Sequence, residues 1–203
     1  MIDYYYPIKL NESVEKRLQF LGSKYVEKMW DTEKFVRQTF FISLDYQNLE
    51  HDLNENLKEI GFSKIKSTCV FVRNKDDHQQ IHYDTYSADK LNEMWHTSLN
   101  IPVSGCVGSK MRWYKGEHEH KIGVYTSAQG GNIAYDIPDW HSDPLPIAEL
   151  ELTSTHMVRP DLPHAAIGND IEPRIVIVLR LEENPPWEEM VKIYKEYETR
   201  LLK

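Results

Sequence analysis

The sequence is short of cysteine: Cys69 and Cys106 are the two it has, and they form no CxxC pair. That excludes a zinc ribbon, a thioredoxin-type redox motif and a disulfide-built scaffold, and it suits a reducing compartment, where such residues serve as small apolar side chains. A basic excess is also missing. With Lys+Arg 24 against Asp+Glu 32, the net charge is -8, so there is no general drive to displace counterions from phosphates and nucleic acid is not an expected partner. No apolar run approaches the length that crosses a bilayer. The opening residues lack the basic region and long apolar stretch of a signal peptide, so a soluble, cytoplasmic protein is expected. Nine glycines and ten prolines are scattered, leaving no linker, low-complexity tract or repeat. What is there, 203 residues with an ordinary 40% hydrophobic content, is enough to bury a core without disulfides, and one domain over 1–203 is expected.

The ends have helical periodicity and the middle has strand periodicity. Val14, Leu18, Leu21, Tyr25 and Met29 make one stripe between Ser13 and Trp30; Leu49, Leu53, Leu57 and Ile60 make another, with Gly61 placed to stop it. A strand candidate, Phe40 to Leu44, lies between them. Residues 1–66 are thus expected to supply supporting helices. The stretch 67–181 reads as a succession of short strands: Thr68 to Val72, Gln80 to Thr85, Thr97 to Val103, Lys110 to Tyr114, Ile122 to Thr126, Ile147 to Thr153, His156 to Arg159 and Arg174 to Leu181. Such a run implies a sandwich or barrel. Residues 182–203 read as a C-terminal helix, with Asn184 as cap and Trp187, Met190, Val191, Tyr194, Tyr197 and Leu201 as its apolar stripe.

The last strand is the most informative. Ile175, Ile177, Leu179 and Leu181 fall on one face, and Arg174, Val176, Val178 and Arg180 on the other. Both faces are apolar enough to be covered, one by helices and one by the barrel interior. An arginine opening the inner face needs a partner, because an unpaired buried charge is costly.

The chemistry-bearing constellation starts at His82 and Asp84. Two residues apart on a strand, their side chains project together and can touch one metal ion. A third ligand from a distant strand would complete a two-histidine, one-carboxylate face, a set suited to non-haem iron(II) that leaves positions open. His164 is the candidate. Ten residues on stands Arg174, whose guanidinium can grip a carboxylate through two parallel hydrogen bonds.

This arrangement, HxD, a distant histidine and an arginine ten residues later, resembles the signature of the iron(II)/2-oxoglutarate-dependent oxygenases. The resemblance spans roughly residues 67–181. It implies a double-stranded β-helix, a jelly-roll relative of the cupins. It also implies an iron(II) ion held by His82, Asp84 and His164, 2-oxoglutarate held at its distal carboxylate by Arg174, and molecular oxygen as oxidant. Aspartate at the second ligand position implies hydroxylation of a C–H bond rather than halogenation. The chain departs from the pattern two positions after the arginine, where many members carry a hydroxyl and this one has Val176. Tyr114 is the candidate to replace that hydroxyl, and Asn100 to reach the other end of 2-oxoglutarate.

Other histidines compete. His141 and Asp143 form a second HxD, but it reads as a loop and lies only about twenty residues before His164, too few for the intervening strands. Glu117 to His120 reads as a charged hairpin tip, His51 and His78 as surface residues, and His96 and His156 as either pocket-lining or packed. Two other classes remain open: a cupin-like metal-binding module without turnover, favoured by Val176, and a jelly-roll assembly protein. The substrate, a small molecule or a peptide, is not specified; an amino acid or protein side chain is the expectation. The stretches Tyr86 to Trp95 and Gln129 to Pro146 are candidate lids.

Overall fold

The computed structural model describes residues 4–30, 40–43, 48–73, 75, 81–87, 90–115, 123–125, 134–136 and 145–203. In chain order the elements are β1 (Tyr5–Pro7), α1 (Glu12–Trp30), β2 (Phe40–Ser43), α2 (Glu50–Ile60), β3 (Ile65–Arg73), β4 (Thr85–Ser87), β5 (Lys90–Met94), β6 (Ser98–Ser104) and β7 (Lys110–Trp113). They continue with β8 (Gly123–Tyr125), β9 (Ala134–Asp136), β10 (Ala148–Leu150), β11 (His156–Val158), β12 (His164–Ile167), β13 (Arg174–Leu181) and α3 (Trp187–Leu201). A six-stranded sheet runs β1-β11-β6-β13-β3-β2 and a three-stranded sheet runs β10-β7-β12, with hairpins β4-β5 and β8-β9 beside them. Among the described residues all the strand pairings are antiparallel. This is the expected cupin-like double-stranded β-helix, with α1 and α3 at its two ends of sequence.

Alternation along β13 builds two cores. Ile175, Ile177, Leu179 and Leu181 join α1, α2 and α3 in the larger one, with Leu18, Leu53 and Met190. Val176 and Val178 face the smaller sheet and meet Met111 and Trp113 there. β13 is buried along its whole length between β6 and β3, which is why both its faces are apolar.

Asn11 caps α1, its Oδ1 accepting from the backbone N–H of Ser13 (3.0 Å) and Val14 (3.4 Å). A Cβ at Gly22 would stand 2.9 Å from Cδ1 of Ile177, so the absent side chain is what lets α1 lie against β13. Gly61 ends α2 in the left-handed region at φ 105° and donates to the carbonyls of Leu57 and Lys58.

Several expectations need correction. Asn184 does not cap α3: Pro186 holds the cap position. Asn184 has φ 45°, and its amide is used across the fold, donating to the carbonyl of Met94 (2.8 Å) and accepting from the N–H of His96 (2.9 Å). Leu201 ends the apolar stripe of α3 but is exposed. The span Gln80 to Thr85 is not one continuous strand: His82 makes an isolated bridge, and β4 begins at Thr85. The stretch Tyr86 to Trp95 contains the β4-β5 hairpin. β1 and β12 escaped the sequence reading because each is only three or four residues long and β12 sits between Pro163 and Gly168. Most of Gln129 to Pro146, with His141 and Asp143, lies outside the described residues, as do His78 and Glu117 to His120.

Candidate metal centre

The backbone brings the three candidate ligands together. His82 and His164 exchange both backbone hydrogen bonds, each N–H donating to the other's carbonyl at 2.9 Å. Directly opposed residues of an antiparallel pair share a face, so the imidazoles emerge side by side, their ring centroids 4.3 Å apart. Two residues on, the N–H of Asp84 donates to Pro160 and its carbonyl accepts from Trp95, both at 3.0 Å. Its Oδ1 then lies 3.4 Å from Nε2 of His82 and 3.9 Å from Nε2 of His164. One ligand atom from each of the three fits within 4.8 Å of the others, and among the described residues this is the one such cluster of metal-binding side chains.

The protonation states suit a metal. Nδ1 of His164 is 2.9 Å from the carbonyl of Leu162. A carbonyl can only accept, so Nδ1 carries the hydrogen and Nε2 presents a lone pair towards Asp84. Burial, reinforced by the neighbouring His82, pushes His164 down to about 3 and keeps it neutral. Burial alone would raise the Asp84 carboxyl, but Arg180 and then the two imidazoles outweigh it and hold it well below the usual carboxylate range. A neutral His164 and an ionised Asp84, with the His82 imidazole beside them, are the donor types expected of a non-haem iron(II) face.

The triad opens on a cavity that Asn100, Arg174 and Arg180 also line. Arg174 is 5% exposed. Among the described residues no carboxylate pairs with it, and its Nε has no hydrogen-bond partner. The nearby Cys106 does not neutralise it, since burial pushes that thiol up and its Sγ donates to the carbonyls of Ser104 and Ile175. A buried guanidinium that lines a cavity with no counter-ion among the described residues carries a desolvation cost that an anion would relieve.

Asn100 reaches the cavity from β6, with its Oδ1 accepting from Ser98 (3.1 Å). Tyr114 does not line it. On β7, Met111 and Trp113 face inward opposite Ala166 and His164. Tyr114 has the parity of Arg112, and it packs on the other side with Ile81 and Ala165. Val176 lines the cavity, so no hydroxyl stands two positions after Arg174. His156 is tied to the carbonyl of Ser154 (2.8 Å), His96 is half-exposed beside Asp161 (3.8 Å), and His51 is exposed on α2; none of them lines the cavity.

The residue that the sequence reading assigned no role is Arg180. It is 2% exposed, contacts Oδ2 of Asp84 through Nη2, and lies over the Trp95 ring at 5.3 Å. The available signal was parity, since Arg180 shares the inner face of β13 with Arg174.

No protein-family model matches the sequence, and no curated protein matches it either. Solved structures do resemble it. SnoK, a non-heme α-ketoglutarate-dependent carbocyclase from nogalamycin biosynthesis, superposes with a TM-score of 0.54 at 12% identity, covering 86% of this chain and 77% of that one. The chain shares the fold of that protein. EvdMO1 shares the fold at a TM-score of 0.53 and 12% identity, over 87% of this chain and 46% of that one. No helix among the described residues is long and apolar enough to cross a membrane.

Proposed function

We propose that the protein is an iron(II)- and 2-oxoglutarate-dependent oxygenase that hydroxylates a C–H bond of an amino acid, a protein side chain or a comparable small molecule, with molecular oxygen as oxidant. The observation that carries this reading is Arg174: a buried guanidinium without a carboxylate partner among the described residues, in the same cavity as a complete two-histidine, one-carboxylate set. The fold shared with SnoK is consistent with it. His82, Asp84 and His164 would hold the iron, and Arg174 the distal carboxylate of 2-oxoglutarate. Asn100 could reach the other end of the co-substrate. Tyr114, on the far side of β7, is not retained for that task.

Iron and 2-oxoglutarate together would supply the oxidising chemistry, coupling decarboxylation of the co-substrate to oxidation of the substrate. The chain's share is geometric and electrostatic. The paired backbones of His82 and His164 fix both rings. The Leu162 carbonyl fixes the tautomer of His164. Val176, Val178 and Met111 keep the surroundings of the site apolar, which strengthens the attraction of Arg174 for a carboxylate.

The test is succinate release from 2-oxoglutarate by anaerobically iron-loaded protein on admission of air, together with mass spectrometry of candidate substrates. Turnover that requires iron and 2-oxoglutarate supports the proposal. Tight binding of both without succinate would favour the metal-binding module that Val176 suggests, and binding of neither would remove the proposal altogether.

A further inference from the structure

We infer that Arg180 is a positioning residue for the metal-binding carboxylate: it takes Oδ2 of Asp84 and leaves Oδ1 as the single oxygen facing both imidazoles. The inference rests on the oxygenase reading and assigns a task to a residue outside its signature. The two carboxylate oxygens are already divided. Oδ1 is the atom near Nε2 of His82 (3.4 Å) and Nε2 of His164 (3.9 Å), whereas Oδ2 is the atom in contact with Arg180. The guanidinium is itself held by Trp95, whose ring it covers at 5.3 Å. The backbone N–H of Trp95 in turn donates to the backbone carbonyl of Asp84 at 3.0 Å. Backbone, indole, guanidinium and carboxylate thus close a loop that leaves the carboxylate little freedom to rotate.

Two effects of Arg180 on a metal oppose one another. Its positive charge beside the site repels a cation, while fixing and orienting a ligand raises affinity; partners of this kind typically change metal affinity 10–100-fold. Orientation prevails here, because without the Arg180 contact to Oδ2 the Asp84 carboxylate could turn both oxygens to the metal or neither. The two contributions have opposite signs, so the direction of one measurement decides between them.

The experiment titrates anaerobic iron(II) into metal-depleted wild type, Arg180→Met and Arg180→Lys, with circular dichroism checking that each is folded. Arg180→Met is expected to bind iron about tenfold or more weakly, and Arg180→Lys, which keeps a donor, to recover part of the loss. Affinity for 2-oxoglutarate, measured at saturating iron, should change far less than in Arg174→Met. Equal or tighter iron binding by folded Arg180→Met would overturn the inference, because repulsion would then be the larger effect. Should Arg180→Met fail to fold, a crystal structure of iron-loaded wild type decides. Asp84 ligating through one oxygen with Arg180 on the other is the expected result; ligation through both oxygens, or a withdrawn Arg180, overturns it. Wild type that binds no iron would instead remove the oxygenase reading, so the two failures are distinguishable.

Discussion

Arg174 and Arg180 stand on the same face of the same strand, both buried, yet they are in opposite electrostatic situations. Arg180 has its counter-ion inside the protein, the Asp84 carboxylate. Arg174 has none among the described residues. On the proposed function, Arg180 belongs to the resting architecture and Arg174 is the one that takes a ligand from outside. A buried ion pair tolerates loss of one member badly, because the other is left charged and dry. An unpaired charge in a cavity is already a cost in the empty protein, recovered when an anion arrives.

That contrast can be broken in several ways. The largest effect is expected from the ligands: alanine at His82, Asp84 or His164 should abolish iron binding and turnover, read by titration and succinate release. Next, Arg180→Met should destabilise the metal-free protein by up to about 3 kcal/mol, since the half-buried Asp84 carboxylate loses its guanidinium partner; a urea midpoint measures this. Arg174→Met should weaken 2-oxoglutarate binding by a factor of about 10–100, the loss of roughly 1.5–3 kcal/mol of charged hydrogen bonding, while iron binding survives. The same Arg174→Met protein, without ligands, should be at least as stable as wild type. Equal stability losses in the two arginine variants would erase the distinction.

The effect spread over the widest range of conditions is in pH dependence. His164 is held down at about 3 in the folded chain, whereas an unfolded histidine takes up its proton near pH 6.5. Between those values the unfolded state binds more protons, so stability of the metal-free protein should fall as pH drops from about 6.5 towards 3. Asp84, lowered by Arg180 and its neighbours against its own burial, adds a loss in the same direction once pH passes below the ordinary carboxylate range. Thermal melts at successive pH values check the slope, and His164→Gln should flatten its upper part.

Much of this was legible in the sequence because strand periodicity is strict. Alternation along Arg174 to Leu181 gave the two faces of β13 and both of its cores, and the two-residue step from His82 to Asp84 put their side chains together. The same rule, applied to β7, would have sent Tyr114 away from the cavity, since Met111 and Trp113 claim the inner face. It could not reveal the partner of Arg180. That contact joins residues 96 positions apart, and topology decides it rather than any local pattern. Asn184 failed for a related reason: its amide is engaged by the backbone of Met94 and His96, a tertiary demand that outweighs its propensity to cap.

The reciprocal hydrogen bonds between His82 and His164 have a consequence for how the centre comes into being. Two of its three ligands sit on amides that clasp each other across the chain, so the donor set is assembled by the same event that joins those distant segments. The amide protons of His82 and His164 should therefore exchange more slowly once the ion is bound.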